Sequence, residues 1–396
     1  MPDLANYGGR EQAFIKHHFL ANYVDQLVFK VGSRRDIVYV DGFSGPWQDQ
    51  ADRFEDTSFG IALRSLRRAK RTWKDLGRGD RTMRALLVEQ DPEAYARLQQ
   101  IVPLYPDIDI RTSNGDFVQL VPELLRAIPA DAFSFVLMDP KGWKIDMKAV
   151  APLLSRANSE VVFNFMLTMI NWSASMPNTA IQAGLEALMP DTNWKQRLDN
   201  ISVAPGQSVA DVRKDVLVAA ISEAIGRLGG YSYVMETPVL FPLKNRTYYS
   251  LIYATRSTKG VEVFRDCQNG ALKEQDKVRS DLQLARRDER AGMADMFGAS
   301  ATGDEFAARW MSEQEKAARA AFVDGVPTAP RTITYGDLWP RVLAEFGVRK
   351  TRLGRIAAEL KSSGEIKFLD WGPRKQVPDD TYRISRSVHA RPGKQG

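Results

Sequence analysis

Four acidic residues stand where short apolar runs end: Asp41 after IVYV, Glu89 after ALLV, Asp116 in SNGDF and Asp139 after FVLM. If those runs are parallel strands of one sheet, the carboxylates gather at its carboxyl edge, where ligands bind in such folds. Glu89 then suits ribose hydroxyls, and Asp116 with the adjacent Phe117 suits an adenine ring and its amino group. Gly45 would let the chain pass close to a cofactor, with Phe43 packed beneath the turn. A glycine turn after a strand, or an exposed loop carboxylate, explains each feature singly. Three carboxylates at successive strand ends, with glycine beside two, favour an adenosyl-containing cofactor. ATP is the weaker choice, because no glycine loop is followed by a Walker-type lysine.

The fourth strand end reads DPKGW. Asp139, held by Pro140, would project into the same crevice, and Trp143 lies just beyond. In amino methyltransferases a D-P-P-aromatic motif accepts hydrogen bonds from the target amino group while the aromatic ring stacks on a flipped base. The alternative is a strand-to-turn boundary with a buried tryptophan. His17 and His18 sit on a first helix, where a half-buried structural histidine is the usual outcome; for His18 that reading is preferred. Trp172 and Trp194 read as core or lid packing.

The elements that must position these residues follow from periodicity. Residues 11–30 read as a helix with Phe14, Phe19, Leu20, Tyr23, Leu27 and Val28 at helical spacing. Downstream, apolar runs alternate with helical stretches as far as EVVFNFM, the pattern of βαβ units and a parallel sheet covered on both faces. Residues 170–205, rich in Asn, Trp, Pro and Ser, read as an inserted lid or substrate region. YSYVMETPVL and TYYSLIYATRS, joined by FPLKNR, read as an antiparallel pair. Five parallel strands followed by such a pair is the order of class I S-adenosylmethionine methyltransferases. A charged helical connector is expected over 261–329. Two helices and a hairpin in 330–396 suggest a winged helix-turn-helix.

Bulk properties narrow the field. Apolar residues make up 44% and charged residues 26% of the 396, an ordinary globular balance. No run approaches the roughly 18 apolar residues of a membrane span, and the N-terminus lacks a signal pattern, so a cytoplasmic protein is expected. A single cysteine, Cys267, rules out an internal disulfide framework, and three histidines argue against a Cys/His zinc site. No metal is expected. The net charge of +6 is unevenly spread: residues 331–396 hold 14 Lys/Arg against 7 Asp/Glu. Clustered positive charge points to nucleic acid or to a basic solvated surface.

The segments KHHFLANYV, VYVDGFSGPW, LLVEQD, NGDF, FVLMDPKGW, VVFNFM and TYYSLIYATRSTKG together resemble the three-Cys-motif partner protein (TcmP) family over roughly residues 10–270. The tail resembles the GMT-like winged helix often attached to that family. The same motifs are more distantly similar to ribosomal RNA adenine-N6 methyltransferases. That resemblance implies cofactor-side roles for Lys16, His17, Ser44, Gly45, Ser58, Glu89, Gly115 and Asp116, and an acceptor-side role for Asp139 and Pro140. It departs at Trp47, where the family has the last glycine of its cofactor turn, and at DPKGW in place of D-P-P-Y. It also implies a gene-neighbour partner, a three-Cys-motif protein resembling radical-S-adenosylmethionine enzymes.

The expectation is therefore an α/β protein: a Rossmann-like class I methyltransferase domain over 1–260, the connector, and a winged helix. It would bind S-adenosylmethionine through Lys16, His17, Asp41, Phe43, Ser44, Gly45, Ser58, Glu89, Asp116 and Phe117. Asp139, Pro140 and Trp143 would receive a nucleic-acid base, and transfer would be direct and in line. The alternative is a non-catalytic, methyltransferase-like partner subunit that binds nucleic acid; a third reading is another nucleotide-processing enzyme on the same fold.

Overall fold

A computed structural model describes residues 1–45, 54–78, 80–291 and 306–386; Trp47 and His389 lie outside the described residues. The chain forms two compact units. The first holds residues up to Arg256 together with α10 (Thr258–Ala291) from Val278 onward; the second holds Ser257–Lys277 and the residues from 306.

The first unit is built on one seven-stranded sheet: β1 (Ile37–Asp41), β2 (Met83–Glu89), β3 (Asp109–Asn114), β4 (Phe133–Met138), β5 (Ser159–Phe165), β6 (Tyr233–Leu240) and β7 (Thr247–Thr255). Their order is β3-β2-β1-β4-β5-β7-β6. β1 to β5 pair in parallel, whereas β7 runs antiparallel to both β5 and β6. This is the Rossmann-like sheet of the class I methyltransferase fold, with its antiparallel final pair. β1 and β5 are buried throughout because helices cover both faces, which is why they read as unbroken apolar runs.

The helices before and between the strands are α1 (Glu11–Val31), α2 (Ser58–Asp75), α3 (Pro92–Leu98), α4 (Phe117–Ala127) and α5 (Met147–Leu154). α1 buries the six apolar positions expected of it. The segment anticipated as a lid is helical: α6 (Leu167–Ala174), α7 (Thr179–Leu188) and α8 (Trp194–Asp199) precede the long α9 (Val209–Gly229). Trp194 is in the core there, at 1% exposure, while Trp172 stands 64% exposed and packs in neither core nor lid. The chain leaves β1 for β2 and β3 on one side and returns to β4 on the other. That reversal opens a crevice beyond Asp41.

The second unit contains α11 (Phe306–Gly325), β8 (Ile333–Thr334), α12 (Tyr335–Glu345), α13 (Lys350–Ser362), β9 (Ile366–Phe368) and β10 (Arg383–Arg386), with the strands in the antiparallel order β8-β10-β9. α11 belongs to this unit's core through Phe322, and its Arg319 pairs with Glu359 and Glu365. α10 and α11 are the helices that fall in the stretch expected as a charged helical connector.

Candidate functional site

The turn after β1 is fixed by its neighbours on both sides. The Gly42 N–H donates to the Leu137 carbonyl at 3.1 Å and the Ser44 N–H to the Val88 carbonyl at 2.8 Å, extending the ladder beyond the strand. Gly42 is required by close approach: a Cβ there would lie 2.7 Å from the Phe117 ring. Phe43 packs its ring 5.5 Å from that of Phe117, so the two aromatics form one wall.

Asp41 anchors this turn from below. It is fully buried and accepts hydrogen bonds from Tyr39 (2.9 Å), Ser58 (2.7 Å) and the Phe43 N–H (3.1 Å). Burial pushes its carboxyl up, although those donors pull in the opposite direction. Ser44 is also buried, its hydroxyl donating to the Asp41 carbonyl. Neither Asp41 nor Ser44 lines the cavity above; both shape its floor, whereas sequence reasoning had them touching the cofactor.

That cavity, of about 1190 Å³, opens at the carboxyl edge of β1 to β5. It gathers Lys16, His17, Phe43, Gly45 and Ser58 from the first part of the chain, and Glu89, Asp116 and Phe117 from the next two strand ends. Asp139, Pro140 and Trp143 complete the set. Its size exceeds that of a typical site for one small ligand, roughly 300–1,000 Å³, and leaves space for a cofactor with an acceptor beside it.

Glu89 is 5% exposed. One of its oxygens accepts from the Asp91 N–H at 2.7 Å, and burial raises its carboxyl above the ordinary range. Asp116 caps α4 by accepting from the Gln119 N–H at 3.0 Å, while its neighbour Gly115 has a φ of +155° that other residues adopt only with strain. His17 is buried, its Nδ1 shares a hydrogen bond with the Tyr7 hydroxyl at 2.9 Å, and burial followed by the Lys16 charge drives its pKa well down. It is a neutral ring at physiological pH. His18 is half-buried.

At the acceptor end, Asp139 is gripped from two sides. Lys16 forms an ion pair with its Oδ2, and the Asn164 amide donates to its Oδ1 at 2.5 Å. Asn164 escaped the sequence reading, although a lone asparagine inside the otherwise apolar run VVFNF was a signal. Its Oδ1 is buried with no hydrogen-bond partner. Tyr249, whose hydroxyl donates to the Gln12 carbonyl, and Tyr248 also line the cavity and were not anticipated. Lys141, the residue that breaks the D-P-P pattern, is exposed. Partial desolvation by the cavity wall lowers its pKa, against the opposing pull of Glu89, Asp91 and Asp139. Trp143 reaches the cavity but rests one ring edge on α7, where a Cβ at Gly184 would lie 3.0 Å from its Cδ1.

Among the described residues no group of three or more His, Cys, Asp or Glu is arranged to hold a metal ion, and no helix is long and apolar enough to cross a membrane.

No family model and no curated protein matches the chain. Solved structures with a similar course include a protein of Legionella pneumophila assigned to DUF519 (11% identity over 63% of this chain and 85% of that one, TM-score 0.36). An O-methyltransferase from Bacillus cereus in complex with SAH aligns at 11% identity over 59% and 80%, with a TM-score of 0.29. A precorrin-6y C5,15-methyltransferase from Geobacter metallireducens aligns at 13% over 60% and 87%, with a TM-score of 0.27. Strand order and register carry the fold.

Proposed function

We propose that the first unit binds S-adenosylmethionine and transfers its methyl group to an amino nitrogen carried by nucleic acid. The observation that carries this reading is the meeting of Glu89, Asp116 and Asp139, from three different strand ends, in one cavity at the sheet's switch point. The residues fit the group. Glu89 offers a nearly enclosed carboxylate to a pair of hydroxyls, and the Phe43–Phe117 wall offers apolar surface to a flat base. The cofactor supplies an electrophilic methyl on a sulfonium, so no metal is called for.

This chain's own contribution is orientation and charge. Asp139, as a carboxylate, accepts an N–H of the acceptor, aims the nitrogen lone pair and offsets the positive charge that develops on the nitrogen. Asn164 fixes the plane of that carboxylate. Trp143 offers a ring face to the base. Pro140 stiffens the turn that presents both.

The helix, strand, two helices and hairpin of the second unit follow the order of a winged helix-turn-helix, and we assign it the capture of nucleic acid by its basic residues. A partner of the three-Cys-motif kind would direct the complex to its target. The deciding experiment is calorimetric titration with S-adenosylhomocysteine, followed by transfer of labelled methyl groups to cellular nucleic acid with and without a gene-neighbour partner. Binding without transfer under both conditions would replace this reading with that of a non-catalytic, cofactor-binding subunit, which Lys141 in the acceptor motif favours.

A further inference from the structure

Lys16 carries a second consequence, which rests on the cofactor reading above. We propose that Lys16 alternates between two carboxylates, its ion-pair partner Asp139 and the amino-acid carboxylate of S-adenosylmethionine, so that cofactor must arrive before acceptor.

Asp139 is committed on both oxygens, one to the Asn164 amide and one to the Lys16 ammonium. The ion pair is well shielded, with side-chain exposures of 13% and 21%. An amino group acquires positive charge as it accepts a methyl group. An ammonium held on the same carboxylate would oppose that charge at short range in a poorly screened site. Lys16 must therefore leave before transfer, and it needs a new anion to go to.

The cofactor supplies that anion. With its adenosine assigned to Glu89 and Asp116 and its methyl group facing Asp139, the amino-acid end falls among the groups around Asp139. Arg10, another cation lining the cavity, is already bound at 2.8 Å to Asp56, whose side chain is fully buried. Lys141 also lines the cavity, and Glu89 and Asp91 act on it more strongly than Asp139 does. Lys16 is the cation whose partner is the reaction carboxylate itself, and its four-carbon stem lets the ammonium swing without backbone movement. Once it has swung away, Asn164 still holds Asp139 in place.

A double-mutant cycle on the full chain, read by calorimetry, tests the exchange without reference to turnover. S-adenosylhomocysteine carries the carboxylate; 5′-methylthioadenosine lacks it and serves as control. Asp139→Asn frees Lys16 while keeping an oxygen for the Asn164 amide. It should tighten S-adenosylhomocysteine roughly three- to tenfold and leave 5′-methylthioadenosine unchanged. Lys16→Met should weaken S-adenosylhomocysteine, and adding Asp139→Asn to it should change nothing further. Lys16→Gln replaces Lys16→Met if the latter does not fold. Unchanged affinity in Asp139→Asn, or equal tightening in both backgrounds, would overturn the exchange, the second by showing that Asp139 repels the ligand directly. Failure of the unaltered protein to bind either nucleoside would instead overturn the cofactor reading, and the exchange with it.

Discussion

Asn164, in β5, and Asp139, the residue that follows β4, meet at the ends of adjacent parallel strands, and the amide of one donates to the carboxylate of the other. The pairing of Met138 with Phe163 sets this up: the residue that follows each lines the crevice. Loss of the amide leaves the carboxylate free to rotate. Asn164→Ala should lower the methyl-transfer rate by about ten- to a hundredfold, a barrier increase of roughly 1.4–2.7 kcal/mol. Affinity for S-adenosylhomocysteine should hold within a few-fold, and single-turnover transfer compared with calorimetry checks both halves.

Removing the acceptor carboxylate itself should do more. Asp139→Ala is expected to abolish incorporation of labelled methyl groups into cellular nucleic acid. Asp139→Asn should keep some activity, because its amide oxygen still accepts a hydrogen bond. Undiminished transfer by the alanine variant would exclude Asp139 from the reaction.

Glu89 tests the cofactor end. Its carboxylate is nearly enclosed, so Glu89→Ala would leave the cofactor hydroxyls facing a site with no acceptor. The expected loss is about 1–3 kcal/mol of S-adenosylhomocysteine affinity. Unchanged micromolar binding in the variant would move the ribose elsewhere.

A buried carboxylate far from the crevice gives a pH signature. Glu160, at the opposite end of β5, accepts hydrogen bonds from Tyr23 (2.5 Å) and Thr255 (2.8 Å), and burial raises its carboxyl above the unfolded value. A raised acid favours the folded state while protonated. Its contribution is therefore complete below the unfolded carboxylate range and is lost as pH rises through the folded value. Urea denaturation at stepped pH should show this decline in the unaltered protein and a flatter profile in Glu160→Gln. Parallel profiles would remove Glu160 as the source.

The second unit should show nucleic-acid binding by the full chain that weakens steeply with salt. Arg355 is an exposed cation on α13, whereas Arg352 is tied to Glu315 and Glu359, and Lys350 to Asp380. Arg355→Glu should weaken binding several-fold at low salt and reduce the slope of affinity against salt by about 1. A filter-binding series that gives the same slope for both proteins would favour protein docking by this unit instead.

The sheet and its strand-end carboxylates were legible because a parallel strand buried on both faces is an apolar run, and an acidic residue closing such a run is conspicuous. Glu89, Asp116 and Asp139 were brought together as the sequence suggested. Asp41 looked the same in sequence but pairs within the ladder of β1, between β2 and β4, and accepts from Tyr39, Ser58 and the Phe43 N–H beneath the cavity. Local sequence does not say which strands flank a given one. The roles of Lys16 and Asn164 depend on contacts with residues 123 and 25 positions away, which no local pattern encodes. The basic excess of the tail was legible as a count that already includes Glu359 and Asp380, but the pairing of Arg352 with Glu315, from outside the tail, required the folded packing.

The ladder bonds made by the Gly42 and Ser44 amides bear on the kinetics of opening as well as on shape. Because both amides donate to carbonyls of flanking core strands, the floor of the crevice can release its hydrogens to solvent only when those strands part. In deuterium exchange, these two positions should be protected to the same degree as the middle of β1, far beyond the protection of surface turns. A binding loop built this way loses little freedom when it takes up a ligand, since its order was established during folding.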